Sequence, residues 1–410
     1  MMPGADVDVA IVGGGMVGAS LAVALAPLGL RVALIEAIAH DAADQPSFDE
    51  RTTALSNATR RVFDTLGLWS LIGEQATPIR KIHVSDRGRF GFARIDAQEQ
   101  GLQAIGYVMP NRVLGHALWA RIGTQSALQV FCPAQVQSVF VGDAHVELHV
   151  VAAGGVCTAL TARLVVAADG AQSAVRKAFG VDAEVRDYHQ TAVITTVLPQ
   201  SFHQYTAYER FTSEGPLALL PMSDGRCTLV LTLSPERAHD AMQWSDAQLL
   251  AEVQARFGFR LGRFLQAGRR HAFPLSLTQS ARTSAGRCVI IGNAAQGLHP
   301  VAGMGFNLGL RDAACLAELL ADAASEADAD CGAPALLAKY DGWRAEDRRG
   351  IIDFTDSLVR VFANPLGVVR RLRNAGLLAF DLLPPAKVAL SRLSTGTARA
   401  SKLARGVPLT

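Results

Sequence analysis

The cysteines of this sequence are few, and none of them is spaced as a pair. The six cysteines lie at positions 132, 157, 227, 288, 315 and 331 of the 410 residues, and no Cys-x-x-Cys occurs. This spacing excludes a common zinc motif, and scattered cysteines are typical of reduced thiols in a cytosolic protein. No Ser/His/Asp arrangement stands out either. The sequence therefore indicates neither a metal site nor a hydrolytic triad.

The sequence also lacks an excess of either charge. Its net charge is +2, which gives no case for a nucleic-acid partner. Residues 9–30 contain no charged residue, but the glycines among them argue against a membrane span. Asp6 and Asp8 stand where a secretory signal would have basic residues. We therefore expect a cytoplasmic protein, and its hydrophobic content of 50% predicts a substantial core.

A glycine-rich turn follows the first predicted strand. Residues 7–12 are apolar, and Gly13, Gly15 and Gly18 form a Gly-x-Gly-x-x-Gly fingerprint ahead of a helical pattern. Such glycines permit a tight turn and close approach of a pyrophosphate to the helix N-terminus. Glu36 ends the second predicted strand, where an acid accepts hydrogen bonds from a ribose. The sequence thus predicts an adenine dinucleotide, and the acid favours FAD or NAD over a 2′-phosphorylated one.

Three further stretches carry candidate polar contacts. Residues 164–168 predict a buried strand, and Asp169-Gly170 at its end is a second dinucleotide-binding feature. Arg51 precedes a predicted helix, where it suits a phosphate clamp as well as it suits a solvated loop. Asn111 begins another predicted helix as a phosphate or ribose contact, although simple capping explains it better.

Residues 288–312 are the stretch around which the predicted fold and site are arranged. Its first residues predict a short buried strand, and Asn293 follows the carboxyl end, where open α/β sheets bind ligands. Pro300, Gly303 and Gly305 then keep the backbone irregular and free of bulk, so that a flat ligand can approach it.

A helical pattern follows these glycines, and we expect the helix from Asn307 onward. The first N–H groups of a helix favour negative charge, and a reduced flavin carries negative charge on its pyrimidine ring. The stretch is therefore predicted to cradle an isoalloxazine. The alternative is an ordinary joint between a strand and a helix, for which so many glycines would be unusual.

Residues 79–97 and 184–276 each consist of short predicted strands separated by turns that contain glycine. This pattern predicts an antiparallel sheet. The expected fold is α/β, with a discontinuous Rossmann-like FAD-binding domain, an inserted antiparallel-sheet substrate domain and C-terminal helices. The expected bounds are residues 1–78, 98–183 and 277–356 for the first domain, 79–97 and 184–276 for the second, and 357–410 for the helices.

The C-terminal segment 357–410 is basic. It holds nine lysines and arginines against the single acid Asp381, interleaved with apolar residues. One interpretation is a set of helices packed on the core with a solvated basic face. The other is a surface for an anionic membrane or a partner protein. The sequence favours neither.

Three of these features together resemble a known family. The fingerprint, Asp169-Gly170 and the loop from Gly292 to Gly305 are similar to those of the FAD-dependent aromatic monooxygenases of the p-hydroxybenzoate hydroxylase type. Within that group, Gly-Asn-Ala-Ala-Gln-x-x-His-Pro at 292–300 and Arg-x-x-Ala-Leu-Ser at 51–56 resemble the ubiquinone-biosynthesis hydroxylases. The likeness spans essentially the whole chain and is greatest to hydroxylases of 2-polyprenyl-6-methoxyphenol.

The resemblance implies two groups of site residues. The group that would bind the dinucleotide is Gly13, Gly15, Gly18, Glu36, Arg51, Asn111, Asp169, Gly170 and Asn293. The group that would line the flavin is His299, Pro300, Gly303 and Gly305. Two residues depart from the pattern, since Asn293 stands where the broader superfamily has Asp and Met304 where the family usually has Gln.

The resemblance also implies partners. FAD would be bound tightly but not covalently, with NAD(P)H as a transient reductant because no second fingerprint is present. O₂ and a polyprenyl phenol would be the substrates, at the inner face of a membrane and in a ubiquinone-biosynthesis complex. Two alternatives remain open: another FAD-dependent lipid oxidoreductase, such as a reductase or epoxidase, and a non-catalytic flavoprotein subunit of a biosynthetic complex.

Overall fold

The computed structural model describes residues 5–42, 45, 47–49, 51–89, 91–326, 330–363, 376, 378–381, 383, 387 and 400–410. Most of the helices expected in 357–410 therefore lie outside the described residues. The strands of the described part are β1 (Val7–Val12), β2 (Val32–Ile35), β3 (Thr52–Ser56), β4 (Thr77–Ile79), β5 (Lys81–Asp86), β6 (Phe92–Asp96), β7 (Gly106–Pro110), β8 (Leu128–Phe131), β9 (Ala134–Val141), β10 (Val146–Ala152), β11 (Cys157–Ala167), β12 (Ala183–Pro199), β13 (Thr206–Thr212), β14 (Gly215–Pro221), β15 (Cys227–Leu233), β16 (Phe264–Ala267), β17 (His271–Ser280), β18 (Ser284–Ala285), β19 (Cys288–Ile290) and β20 (Gln296–Gly297).

The helices of the same residues connect these strands. They are α1 (Met16–Leu25), α2 (Asn57–Thr65), α3 (Trp69–Ile72), α4 (Asn111–Gly123), α5 (Ala174–Ala178), α6 (Pro235–Gln243), α7 (Asp246–Phe257), α8 (Gly305–Ala324) and α9 (Pro334–Ala363). Short 3₁₀ turns include Gly292–Ala294, Val301–Gly303 and Leu403–Arg405.

The first sheet has parallel strands at its centre. Its order is β18-β19-β11-β1-β2-β8, with β10 paired to β11 and β9 paired to β10. The strands β19, β11, β1, β2 and β8 run parallel. Parallel strands are buried on both faces, and the apolar run of β1 is accordingly buried. Helices α1, α4 and α8 pack on one face, and the β9–β10 hairpin closes the other.

The second sheet is almost wholly antiparallel. Its order is β20-β17-β12-β15-β14-β13-β5-β6, with β16 on β12, and β5 and β13 are its parallel pair. Helices α6 and α7 pack on one face of this sheet. The predicted α/β fold class is confirmed. The expected domain boundary between residues 276 and 277 falls inside β17, and the division into domains stays a prediction.

The last residues of the chain pack on the core of the first sheet. Leu403 and Ala404 are buried at 2% and 5% exposure, and the backbone N–H of Lys402 donates to the Glu318 carboxylate at 2.5 Å. Residues 400–405 therefore fit the interpretation of a packed tail. Among the described residues, no helix is long and apolar enough to cross a membrane.

A buried carboxylate ties α8 to the loop that precedes it. Asp312 is 0% exposed. One of its oxygens accepts from Arg344 Nε at 2.8 Å, and the other accepts from Gln296 Nε2 at 2.6 Å and from the Gly292 N–H at 3.3 Å. The 292–296 segment is thereby fixed relative to α8.

Helix α9 completes this cluster from its own side. Arg344 also pairs with Asp347 at 2.6 Å, and Arg348 Nε donates to the side-chain oxygen of Gln296 at 2.6 Å. A buried ion pair that loses one partner leaves an uncompensated charge, which is strongly destabilising. No pattern in the sequence predicted this cluster.

We expect Arg344→Ala to lower the free energy of unfolding by about 3–5 kcal/mol, because it strands the Asp312 charge. Arg226→Ala is the matched control, since it breaks an ion pair whose side chains are 46% and 45% exposed. That control should cost at most about 1 kcal/mol. Urea titrations of both variants make the comparison, and equal losses would show that the buried cluster does not stabilise the fold.

Candidate cofactor and substrate cavity

One large cavity lies between the two sheets. Its volume is about 860 Å³, near the upper end of the range for small-molecule and cofactor sites. The carboxyl ends of β1, β2, β11 and β19 open onto it, which is where ligands bind in open α/β sheets. The opposite wall is the face of the second sheet that α6 and α7 leave uncovered.

The cavity brings nearly all the predicted site residues together. Those that line it are Gly13, Gly15, Glu36, Arg51, Asn111, Asp169, Gly170, Asn293, His299, Pro300, Gly303 and Gly305. Gly18 lies behind the wall, where a Cβ would stand 1.9 Å from the Gly13 carbonyl oxygen. Gly18 therefore lets α1 approach the turn closely, which is one of the roles of fingerprint glycines.

The turn after β1 is built for close backbone approach. Gly13 has φ +105°, and a Cβ there would stand 2.4 Å from the Ala168 carbonyl oxygen. Gly15 precedes α1, and no side chain caps this helix or places an acid in its first turn. The N-terminal N–H groups of α1 are thus left for an anion, as a pyrophosphate requires.

Glu36 is held rigidly at the end of β2. It is 8% exposed, and its carboxylate accepts from the Gly14 N–H at 2.5 Å and from the Ile38 N–H at 2.9 Å. Gln45 adds a longer contact at 3.5 Å. A carboxylate has about four acceptor positions, so these bonds leave capacity for ribose hydroxyls. Gln45 also lines the cavity and was not among the predicted residues.

Arg51 and Asn111 share one carboxylate. Arg51 Nε lies 2.5 Å from Asp49 Oδ2, and its guanidinium lies 4.3 Å from the Phe273 ring centre. Asn111 accepts from the Thr53 hydroxyl at 2.6 Å, and its amide donates to Asp49 at 3.4 Å. No side-chain bond caps α4, so capping does not explain Asn111, and Arg51 is packed rather than freely solvated.

Asp169 uses part of its carboxylate to cap the start of α5. Its oxygens accept from the Ser173 hydroxyl and from the Ala174 and Val175 N–H groups, the latter two at 2.8 and 3.2 Å. Gly170, which follows it, has φ +85°. The side chain is partly exposed to the cavity, so its remaining acceptor capacity faces the same space as Gly13.

The loop after β19 presents the side-chain amide of Asn293 and several glycines to the cavity. Asn293 is exposed, and the described residues include no hydrogen-bond partner for its side chain. Helix α8 begins at Gly305, two residues earlier than expected, and no side chain caps it. A Cβ at Gly305 would meet nothing within 4 Å, so that the space beside this helix start is open. The N-termini of α1 and α8 thus open onto one cavity.

Asn307 explains why the helix begins early. Its side-chain oxygen accepts from the Ser56 N–H at 2.8 Å and the Thr59 hydroxyl at 2.7 Å, and its amide donates to the Ala54 and Gly303 carbonyls, each at 2.8 Å. This buried amide joins the loop to β3 and α2. The sequence signal for it is a polar residue between Phe306 and Leu308 at the start of the helical pattern.

His299 is a neutral, buried link between the loop and the second sheet. Its Nδ1 accepts from the Val301 N–H at 3.2 Å, so its Nε2 donates to Gln190 Oε1 at 3.3 Å. Burial lowers the pKa of His299 to about 4. The imidazole is therefore uncharged at neutral pH and positions the loop through hydrogen bonds.

Met304 points away from the cavity. It is 6% exposed and packs with Leu308 and Ile351 in a small apolar cluster between α8 and α9. The residue that departs from the family pattern therefore contributes packing at this position, and its thioether makes no wall of the cavity.

The half of the cavity next to the second sheet is mainly apolar. Its aliphatic wall consists of Ile82, Ile194, Ala207, Ala218, Leu220 and Val230. Glu209 interrupts this wall, and it was not among the predicted site residues. A polar dinucleotide half and an apolar half thus meet in one space.

The fold around this cavity is shared with a known monooxygenase. The p-nitrophenol 4-monooxygenase PnpA from Pseudomonas putida DLL-E4 superposes with a TM-score of 0.77 at 20% identity, covering 94% of this chain and 96% of that one. At this identity the likeness concerns the fold alone.

Sequence similarity gives the family. Residues 6–355 match the FAD binding domain family. Ubiquinone hydroxylase UbiL of Rhodospirillum rubrum is 38% identical, over 98% of this chain and 93% of the relative. The 3-demethoxyubiquinol 3-hydroxylase of Escherichia coli is 33% identical, over 91% of this chain and 94% of the relative. The chain belongs to the FAD binding domain family and, within it, to the ubiquinone hydroxylases.

The cavity fits the cofactor of this family. Glycines keep the wall open where Cβ atoms would intrude, uncapped helix starts face it, and the chain offers carboxylate and amide acceptors for sugar hydroxyls. The individual roles of the residues stay predictions, which substitution can test.

We expect Gly305→Leu to leave the fold intact but to lower FAD affinity by roughly tenfold to a hundredfold, since overpacking a filled site costs about 1–3 kcal/mol. Gly342→Leu is the control, because a Cβ at that exposed position in α9 also meets nothing within 4 Å. Flavin absorbance of the purified proteins and circular dichroism of the apoproteins give the two readouts. If Gly305→Leu retains its full FAD content, the cofactor does not bind beside Gly305.

Proposed function

We propose that this chain hydroxylates the aromatic ring of a polyprenyl phenol in ubiquinone biosynthesis, using O₂ and a reductant. The observation that carries the proposal is the single cavity with a dinucleotide half and an apolar half. The names of the relatives, ubiquinone hydroxylase and 3-demethoxyubiquinol 3-hydroxylase, support the substrate class.

The dinucleotide half would hold FAD along the strand ends. Gly13, Gly15 and the α1 N-terminus suit its pyrophosphate, and Glu36 suits the adenosine ribose. We assign Asp169 and Asn293 to the ribityl and pyrophosphate region, with Arg51 and Asn111 in support. When bound, FAD supplies the O₂ activation that no protein side chain provides.

Another group of residues would surround the isoalloxazine ring of FAD. Pro300, Gly303 and Gly305 would lie against the flavin, with the α8 N-terminus directed at its negatively charged edge. His299 would keep this loop in place without carrying charge, because its pKa lies near 4. The chain thus binds and orients the cofactor and keeps water from the apolar half of the cavity.

The apolar wall suits a prenylated ring. Each methylene removed from water contributes about 0.8 kcal/mol, so a few isoprene carbons against the aliphatic wall outweigh the polar contacts of a single hydroxyl. We propose 2-polyprenyl-6-methoxyphenol as the first substrate to test. NAD(P)H would reduce the cofactor from a transient site, since the sequence has no second dinucleotide fingerprint.

The proposed function predicts one added oxygen per product molecule. The purified holoprotein is incubated with NADPH, ¹⁸O₂ and 2-methoxyphenol carrying a short prenyl chain at ring position 6. We expect a product heavier by a single ¹⁸O, because a monooxygenase inserts one atom of O₂. Gly305→Leu serves as the cofactor-deficient control. An oxidised or epoxidised prenyl chain, or consumption of NADPH without oxygen insertion, would favour the reductase or epoxidase alternative.

We also propose peripheral membrane binding through the basic segment 357–410. A polyprenyl chain leaves the bilayer reluctantly, so the enzyme must approach its substrate there. The described part of this segment exposes Val361 at 42%, Leu378 at 36% and Leu383 at 54%. Basic residues near an anionic leaflet contribute about 1 kcal/mol each. A partner protein of a biosynthetic complex is the competing occupant of this surface.

Changing Arg370, Arg371 and Arg373 to Glu tests this attachment. These three residues lie outside the described residues, and their charge reversal should abolish flotation with vesicles of phosphatidylglycerol and phosphatidylethanolamine at low salt. The matched control reverses the exposed Arg89, Arg121 and Arg282. It gives the same change in net charge and should still float. Equal flotation of both variants would reject the segment as the membrane anchor.

A further inference from the structure

Glu209 lies on the apolar wall of the cavity. It occupies the middle of β13, where Ala218 of β14 and Val84 of β5 stand directly opposite it. Side chains alternate along a strand, so Ala207 and Phe211 share its face. Glu209 and Ala207 both line the cavity. A carboxyl group thus projects from a sheet face whose nearest residues, Ala207, Phe211, Ala218 and Val84, are all apolar.

The carboxyl group of Glu209 differs from the other acids of the site in its partners. The other acids of the site are each held by N–H or hydroxyl donors: Glu36 by Gly14, Asp169 by Ala174 and Asp49 by Arg51. Within the described residues, the Glu209 side chain has no hydrogen bond and no ion pair. A carboxyl group in this position is expected to find its partner in the molecule that fills the cavity.

Burial changes its acidity. Desolvation alone raises the pKa of Glu209 to about 7. The ionisable groups on the side of Glu209 are distant from it, uncharged or paired with another residue. Asp86 lies on the same face of β5, but directly opposite Phe211. Across the cavity, His299 is neutral and Arg51 pairs with Asp49. Neither β14 nor β15 adds a charged residue to this face, since Pro216, Ala218, Leu220, Thr228, Val230 and Thr232 line it.

Glu209 also lies close to the loop that would hold the flavin. Phe211, two residues along β13, packs against Val301 in the 3₁₀ turn of that loop. Two residues of a strand span roughly 7 Å. A ring bound between this loop and β13 therefore has Glu209 within reach of a substituent.

We propose that Glu209 is the base that accepts the hydroxyl proton of the phenol. This inference rests on the proposed function. The O–H bond of the phenol breaks, its electron pair stays on the ring oxygen, and the proton passes to a Glu209 carboxylate oxygen. Nothing is oxidised or reduced in this step. The phenolate ring is richer in electrons than the phenol and is attacked more readily by an electrophilic oxygen.

The raised pKa of Glu209 fits the role of a general base. A phenol of the tyrosine type has a pKa of about 10, so little phenolate is present at neutral pH without a base. A general base works best when its pKa lies near the operating pH, and a carboxyl at its ordinary pKa would be a weak one. The apolar surroundings of β13 thus raise the basicity of this carboxylate and also accommodate the prenylated ring.

The experiment compares Glu209→Gln, Glu209→Asp and the control Glu184→Gln, whose carboxyl is 69% exposed on β12. For the wild type, kcat/KM with 2-methoxy-6-prenylphenol should fall with unit slope as pH drops below about 7. Glu209→Gln should lose about 10²–10⁴-fold in kcat/KM together with this pH limb. Glu209→Asp should keep a limb, and the control should match the wild type.

The acidity of the phenol gives a second readout. The loss caused by Glu209→Gln should shrink with a ring-fluorinated substrate of lower pKa, because a phenol that ionises more readily depends less on a base. FAD content should be the same in the wild type and in Glu209→Gln. An equal loss with both substrates, or an unchanged pH limb, would overturn the proposal for Glu209. Failure of the wild type to hydroxylate any prenylated phenol would instead overturn the proposed function.

Discussion

The buried carboxylate of Asp312 connects the parts on which the cavity depends. It accepts hydrogen bonds from the backbone of Gly292, from Gln296 and from Arg344, and so joins the end of β19, α8 and α9. The Gly292 bond fixes the point at which the chain leaves the first sheet, and the Gln296 bond fixes the strand that enters the second. The position of the glycine loop against both sheets therefore follows from one desolvated acid and its donors.

The acids of the cavity differ in whether the protein satisfies them. Glu36 and Asp169 accept hydrogen bonds from backbone N–H groups, which hold both side chains in place. Among the described residues, Glu209 receives no such bond, and desolvation raises its pKa to about 7. The same side-chain chemistry thus serves two tasks. Satisfied carboxylates suit sugar hydroxyls that must stay in place, whereas an unsatisfied one suits a proton that must move.

Much of the dinucleotide half could be predicted from sequence because its signals are local. A strand, a glycine turn and a helix are contiguous, so the order of residues alone places Gly13, Gly15 and Glu36 at one sheet edge. The same holds for Asp169 and for the loop at Gly303 and Gly305. Asn307 and Asp312 were missed because their partners lie far along the chain, and a polar residue in a helix gives no indication of what it contacts.

Glu209 was missed for a different reason. A strand with alternating residues predicts two faces, but it does not say which face meets a cavity and which meets α7. That choice is made by pairing with β5, a segment more than a hundred residues away in sequence. The start of α8 at Gly305 rather than Asn307 has a similar origin, since the side chain of Asn307 is bound by β3 and α2.

The end of α9 packs against β13, the strand that carries Glu209. Phe362 stacks on Phe211 with ring centres 3.5 Å apart, and Phe211 also packs with Val301 of the glycine loop. Phe211 shares a strand face with Glu209, so α9 supports the strand that carries the proposed base. The packing at the end of α9 therefore acts on the strand of the proposed base and, through Val301, on the glycine loop.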